Sequence, residues 1–380
     1  MKADVVVIGA GPAGSAAAAT LAAGGARVVL ADRATFPRDK ICGDALLPDA
    51  LAALVAIGAA DDIRRVSHPV SWLRLRGAAS GTVRVPLSGL VIRRHELDAL
   101  LVEQACRAGA DLIPGATLAG LDDGAAGVAA ARLATAAGDV AIEARAFVLA
   151  TGAARRPREI AGLGAGKERS AVALRGYAQL PGLPEDELVI DLRGELAGGY
   201  AWAFCAGDGV WNVGCGLPRD SRRATSLGKA LERFLRDLGG KEWTVPPRGA
   251  PLLTAFPKMP FTRANLAAVG DAAGLTRPFS GEGIGPSLWS GVAVGECLLR
   301  EAGSGGVERY RCRMVARYRR DFRAWRLGEQ FLNFPRLGEW LIAKAHHPGA
   351  QRRLAAMLAD TLPAERVLSP WGLVRLLIRR

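Results

Sequence analysis

Three groups of residues in this sequence carry chemistry that can be read from type and spacing alone. The first is Gly9-Ala10-Gly11-Pro12-Ala13-Gly14, with Asp32 eighteen residues after Gly14. Gly9 permits a tight turn, Gly11 lets the backbone approach a pyrophosphate, and Gly14 lets a helix pack closely on a strand. An acid at this distance can accept from ribose hydroxyls. The second is Gly270-Asp271, followed by Pro278-Phe279-Ser280-Gly281-Glu282-Gly283-Ile284. An aspartate closing a strand can hold the ribityl hydroxyls of a flavin. A helix opening at Gly283 would turn its partial positive end toward the flavin pyrimidine edge, where reduced flavin carries negative charge. Two dinucleotide-type elements some 260 residues apart point to one long ligand spanning both, FAD. The third is Cys42, with Arg38 and Lys40 close by. Flanking cations favour the thiolate, the reactive form; a small cysteine filling space is the alternative.

These residues need a frame. The β-branched run Ala3–Ile8 precedes the first fingerprint, and an Ala-rich helix follows it to about Ala23. Ala26–Ala31 is a second strand, ending at Asp32, which completes a βαβ unit. Leu46–Ile57 reads as a helix, Val70–Val85 as a hairpin, His95–Ala108 as an amphipathic helix and Ala144–Ala150 as another buried strand. Between Leu174 and Leu253, strand-like segments separated by Pro and Gly predict an antiparallel or mixed sheet. Tyr200, Trp202 and Phe204 alternate and so share one face of a strand. With Trp211 they predict an aromatic wall toward the flavin, ordinary core packing being the alternative. Leu266–Val269 returns to a Rossmann-type strand and Gly283–Arg300 is helical. Val307–Phe334 is a long helix whose Tyr310, Met314, Tyr318, Phe322 and Trp325 mark one face. A last helix starts at Ser369-Pro370. The sequence therefore predicts an α/β protein. A Rossmann-like FAD-binding domain is assembled from 1–70, 90–160 and 260–300, a mixed-sheet substrate domain from 71–89 and 161–259, and a C-terminal helical region from 301–380.

A chain of 380 residues suffices for more than one core. Residues 300–380 hold 17 Lys and Arg against 7 Asp and Glu, which accounts for most of the net charge of +13. Such a tail suits an anionic membrane or another acidic partner, or is a solvated helical face; no nucleic-acid partner is expected. Val5–Ala26 offers 22 uncharged positions, long enough for a membrane span, but its glycines and Pro12 parse it as strand, turn and helix. Six cysteines without paired spacing read as reduced thiols in a cytoplasmic protein. The four histidines show no metal spacing, and no metal site is expected; His346-His347 before Pro348 reads as a helix cap.

Four segments resemble the geranylgeranyl reductase family, within the para-hydroxybenzoate-hydroxylase-like flavoproteins that also include monooxygenases and halogenases. They are the N-terminal fingerprint; Phe36-Pro37-Arg38-Asp39-Lys40-Ile41-Cys42-Gly43; Tyr200-Ala201-Trp202-Ala203-Phe204 with Asp208-Gly209 and Asn212-Val213-Gly214; and the segment from Gly270-Asp271 through Ile284. The resemblance implies a para-hydroxybenzoate-hydroxylase-like architecture and FAD. It implies cofactor contacts at Gly9, Gly11, Ala13, Gly14, Asp32, Arg33, Arg38, Cys42, Gly43, Arg94, Gly270, Asp271, Pro278, Gly281, Gly283 and Ile284. An intrahelical Arg94–Asp98 pair is the alternative for Arg94. The resemblance also implies that Cys42 is a catalytic thiol beside the flavin, and that Tyr200, Trp202, Phe204 and Trp211 border an apolar, lipid-sized substrate pocket. The sequence departs from the family at Asp44, where a second glycine is usual, and at Cys205, where a proline is usual. Thr151-Gly152-Ala153-Ala154-Arg155 lacks the Asp-Gly pair of many related hydroxylases. The departures leave the flavin elements intact and concern the substrate.

Four roles fit this frame. A reductase would saturate C=C bonds of an isoprenoid or other apolar substrate with hydride from reduced FAD. NADPH or another donor would supply electrons transiently, and the basic C-terminus would make peripheral contact at the inner membrane surface. A monooxygenase would hydroxylate an organic or peptidyl substrate with O2. Halogenation fits least, because Trp72 and Trp289 stand apart and no lysine lies between Lys40 and Lys167. A non-redox maturation partner would use the Val307–Phe334 helix as its interaction face. The complete flavin-edge segment and Cys42 favour redox activity, with the reductase first.

Overall fold

Val5–Ile8, Val28–Asp32 and Ala146–Leu149 are buried at every position. Burial on both faces is what parallel strands covered by helices require. They are the centre of a six-stranded sheet in a computed structural model that describes residues 1–164, 170–193, 196, 198–218, 226–332 and 334–368. The strand order is Thr262–Arg263, Leu266–Ala268, Ala146–Leu149, Val5–Ile8, Val28–Asp32, Asp111–Pro114, parallel except at the two-residue edge strand. The helices Pro12–Ala23 and Ile284–Arg300 pack together through small residues. A Cβ on Gly291 would lie 2.2 Å from the Ala13 carbonyl oxygen. Tyr310, Met314, Tyr318 and Phe322 of the helix Ser304–Leu332 join this core, which gives that helix the packed face its pattern predicts.

A second sheet of eight strands has the order Trp243–Leu253, Ser170–Gln179, Val210–Pro218, Tyr200–Cys205, Glu187–Asp191, His68–Arg76, Thr82–Val91, Ala45–Leu46. Leu231, Phe234 and Leu235 of the helix Leu227–Asp237 seal one face over Ala203, Cys205 and Trp211. The other face carries Trp202 and Phe204 and meets Ile342, Ala345 and Leu354 of the helices Pro335–Ala345 and Pro348–Leu358. The hairpin reaches from His68 to Val91, beyond the expected Val70–Val85. The edge strand Ala45–Leu46 belongs to this sheet, although the sequence placed Leu46 at the start of a helix, which begins instead at Pro48. A three-stranded meander over Thr117–Glu143 was not foreseen. Its alternation is diluted by Ala, Gly and Asp, so the period-2 signal is weak. All six cysteines are free thiols. His347 caps the helix Pro348–Leu358, its Nδ1 accepting from the Gly349 N–H at 3.2 Å. No helix among the described residues is long and apolar enough to cross a membrane. The helix expected from Ser369 lies outside the described residues.

Candidate active site

Gly9 has φ +104°, and a Cβ there would lie 2.3 Å from the Ala150 carbonyl oxygen, so this turn requires glycine. At Gly14 an added Cβ would lie 1.7 Å from the Gly9 carbonyl oxygen. Gly11 differs. Its added Cβ would meet only guanidinium nitrogens of Arg38 and Arg94, at 3.7 and 3.9 Å. The helix Pro12–Ala23 starts at this open, cationic spot with no side-chain cap and no acid in its first turn. Its free N–H groups and positive end are left for a ligand's phosphates. Arg94 holds the buried Asp98 bidentately at 2.7 and 2.8 Å, so the intrahelical pair forms. Arg38 adds a second guanidinium at 2.7 Å from the same carboxylate. Two cations on one anion leave positive charge beside Gly11, which suits a pyrophosphate. Asp32 is buried at its strand end, one oxygen accepting from Ala10 N at 2.7 Å and the other from Ala34 N at 2.9 Å. Arg33 beside it is exposed.

At the far end, Gly270 has φ +59° and sits over Ala13, whose Cβ would lie 3.0 Å from a Cβ on Gly270. Asp271 accepts from Thr276 Oγ1 at 2.7 Å and lies 3.8 Å from Lys40 Nζ. The helix Ile284–Arg300 starts after Gly283, again with no side-chain cap and no acid in its first turn. Two open helix N-termini bordering one cavity fit FAD, whose phosphates the turn at Gly11 would hold and whose flavin edge the turn at Gly283 would face. Gly281 and Ile284 line this cavity as well; Pro278 shapes the loop without lining it.

Cys42 is half-buried and lines the same cavity. The cations expected to serve it are engaged elsewhere, Arg38 with Asp98 and Lys40 with Asp271. The cation that interacts with its sulfur is Arg94. Burial opposes the Arg94 charge, but Asp98 and then Cys42 hold its pKa above the usual arginine value. The loop carrying Cys42 is anchored from below. Arg175 donates to Asp39 at 2.8 Å, to the Lys40 carbonyl at 3.0 Å and to the Cys42 carbonyl at 3.3 Å. Asn212 Nδ2 donates to the Cys42 carbonyl at 2.8 Å and to Asp44 Oδ2 at 2.6 Å, where Tyr177 Oη also donates at 2.5 Å. The Trp202 indole N–H donates to Asn212 Oδ1 at 2.9 Å. Burial pushes the Asp44 carboxyl up to about 6, against the opposing effects of Tyr177, Arg175 and Asn212.

From Pro12, Cys42, Gly43, Asp271 and Gly283 the cavity, of about 400 Å³, continues into a chamber walled by Leu73, Leu87, Leu188 and Leu252. Trp202 and Phe204 line it too, next to Gly43 and packed with Leu73, Leu87 and Leu188, with Tyr200 beside them. Glycines make room for the rings. A Cβ on Gly214 would lie 2.2 Å from Trp202 Cζ2, and one on Gly43 3.3 Å from the Phe204 ring. Tyr200 Oη donates to the Ser280 carbonyl, tying the wall to the Pro278–Gly283 loop. Trp211 does not join this wall. It pairs with Cys205 across the hairpin and is fully buried on the opposite face, among Leu231 and Phe234. The expected substrate contact at Trp211 is therefore corrected to core packing. Arg277 faces three carboxylates, Asp49, Glu282 and Asp321. One cation cannot neutralise all three. Burial, only partly offset by Arg277 and reinforced by Asp49, pushes Glu282 up to about 8.

The pyridine nucleotide-disulphide oxidoreductase family matches residues 3–190. A menaquinone reductase of Mycobacterium tuberculosis (strain H37Rv) is 34% identical over 363 residues, 88% of this chain and 85% of that one. The digeranylgeranylglycerophospholipid reductase 2 of Methanosphaera stadtmanae is 28% identical over 313 residues, 78% of this chain and 77% of that one. The chain belongs to the geranylgeranyl reductase family of FAD-dependent oxidoreductases. A solved geranylgeranyl bacteriochlorophyll reductase-like protein from Thermoplasma acidophilum shares the fold. Its TM-score is 0.81 at 22% identity, over 99% of this chain and 96% of that one. In this reductase-family flavoprotein, sequence reasoning missed Arg175, Tyr177 and Asn212. Asn212 stands inside the quoted Asn212-Val213-Gly214 segment, so the motif held a signal for it. Arg175 and Tyr177 alternate on a strand, and nothing local marks them.

Proposed function

We propose that this flavoprotein reduces C=C bonds of an isoprenoid or comparably apolar chain. The observation that carries the reading is the single cavity joining the FAD cradle to a leucine-lined chamber. The named activities of the menaquinone and digeranylgeranylglycerophospholipid relatives support the substrate class. Bound and reduced, FAD supplies the hydride. The protein's residues do the rest. The leucines and the two C-terminal helices exclude water and hold the apolar chain, while Trp202 and Phe204 steer it toward Cys42. Cys42 contacts the reacting region, and the Asn212–Asp44–Tyr177 network fixes its loop. Glu282, on the cavity wall with burial raising its carboxyl's affinity for a proton, donates the proton that the neighbouring carbon takes up as the double bond becomes single. NADPH or another donor supplies the electrons. The basic C-terminus makes the peripheral contact with an anionic membrane in which such a substrate resides.

The test is anaerobic. Reduced protein is mixed with a prenylated quinone or a prenyl phospholipid, and flavin absorbance and product mass are followed. Reoxidation with a product heavier by two hydrogens is expected. No reoxidation by any prenyl lipid, with an organic substrate instead gaining oxygen in air, would replace the reductase with a monooxygenase.

A further inference from the structure

We propose that His68, Glu185 and Cys205 form a divalent-metal site, of the kind zinc occupies, at one end of the eight-stranded sheet. A ring nitrogen of His68, a carboxylate oxygen of Glu185 and the sulfur of Cys205 lie within 4.8 Å of one another. They come from three stretches of chain. His68 opens the strand His68–Arg76, Glu185 precedes the strand Glu187–Asp191, and Cys205 closes the strand Tyr200–Cys205. These strands are neighbours in the sheet, so the backbone ladder itself brings the donors together. Imidazole, carboxylate and thiolate are donors that zinc takes, and a three-ligand site leaves its fourth position to water.

One of the donors is oriented by its surroundings. His68 Nε2 lies 2.9 Å from the Glu185 backbone carbonyl. Donating there fixes the proton on Nε2 and leaves Nδ1 with a free lone pair, the way metal-binding histidines are held in orientation. Cys205 is buried at the end of its strand, where its sulfur is held in place by the packing around it. A tetrahedral site with bonds of about 2.0–2.3 Å needs its donors roughly 3.5 Å apart. The remaining contraction falls to Glu185, whose side chain is exposed and free to swing. None of the three residues lines the cavity, so the metal acts as a staple across three strands and stands apart from the flavin chemistry.

The test uses the FAD-loaded protein. It is dialysed against micromolar zinc and desalted, and its zinc is measured by atomic emission. Wild type is expected to retain one zinc per chain, and Cys205→Ser and His68→Ala to retain none. Glu185→Ala, a surface change that leaves the fold intact, is expected to bind zinc at least about tenfold more weakly. Cys312→Ser removes an exposed thiol beside Glu308 and is expected to retain the full amount. Circular dichroism and flavin absorbance report folding of each variant, and if Cys205→Ser fails to fold, Glu185→Ala decides. Wild type that retains no zinc, or retention unchanged in Glu185→Ala and His68→Ala, overturns the proposal.

Discussion

Replacing Asp44 by asparagine should make this protein more stable at neutral pH. The carboxyl is fully buried at φ +66°, a conformation asparagine tolerates as well as aspartate. Burial raises its pKa from 3.8 to about 6, although Tyr177, Arg175, Asn212 and Arg94 all favour the charge. An acid with a raised folded-state pKa binds its proton more tightly folded than unfolded. Its contribution is therefore most favourable below the unfolded pKa, is lost as pH rises from about 4 to about 6, and stays lost above that. The shift corresponds to about 3 kcal/mol. At the unfolding entropy usual for a chain of this length, that is about 4 °C in Tm. The amide can accept from Tyr177 and Asn212 through one oxygen and never ionises. The advantage of Asp44→Asn over wild type should thus grow by about 2.4 kcal/mol between pH 4 and pH 7. Urea unfolding followed by circular dichroism, at both pH values and with saturating FAD, measures it. A difference between the two proteins that is the same at both pH values would refute the reasoning. The same variant should turn over more slowly, because a neutral amide accepts more weakly than a carboxylate from Asn212, which also holds the Cys42 carbonyl. A costly group retained at a site is where strain and activity go together.

Asp271→Ala should weaken FAD binding about tenfold or more while leaving the fold intact, as read by flavin titration and circular dichroism. Cys42→Ser should lower kcat without releasing FAD; an unchanged rate would reduce Cys42 to packing. In the helix Pro335–Ala345, Glu339 accepts from the backbone N–H groups of Ala78, Ala79 and Ser80 at 2.5, 2.9 and 2.9 Å, and from Ser80 Oγ at 2.7 Å. Glu339→Gln should loosen this clasp by about 1–2 kcal/mol, seen as faster proteolysis at the hairpin tip. Burial opposes the Glu339 charge, but these donors hold its pKa below the ordinary carboxylate value. The clasp's contribution is therefore full above that ordinary value and is lost as pH falls through the lowered one, so acid should speed wild-type cleavage and leave Glu339→Gln little changed.

What the sequence made legible was local. The Gly9–Gly14 turn, the strand ending at Asp32 and the opening of the helix at Ile284 are each written in a few consecutive residues, because their glycines answer steric demands of the adjacent backbone. The face of Trp211 was not legible. As another aromatic of the same strand-rich segment it was grouped with Tyr200, Trp202 and Phe204, but which face it takes depends on how the turn at 206–209 sets the register, and that register places it opposite Cys205. The cation beside Cys42 was misassigned for a related reason. Arg38 and Lys40 are near in sequence, whereas Arg94 reaches the sulfur from a helix some fifty residues away. His68, Glu185 and Cys205 show no common spacing at all and meet only through strand pairing.

The outer wall of the chamber includes Ile342, Ala345, Leu354, Met357 and Leu358, all from the chain beyond residue 334. The residues that shape the FAD cradle fall between 9 and 43, at Arg94 and Asp98, and between 270 and 284. Selection acting on the C-terminal helices can therefore re-tailor which substrates are admitted while the redox machinery stays as it is. Exchanging residues 335–358 between relatives is a direct route to altered substrate range, provided the graft keeps Glu339 and with it the clasp on the hairpin.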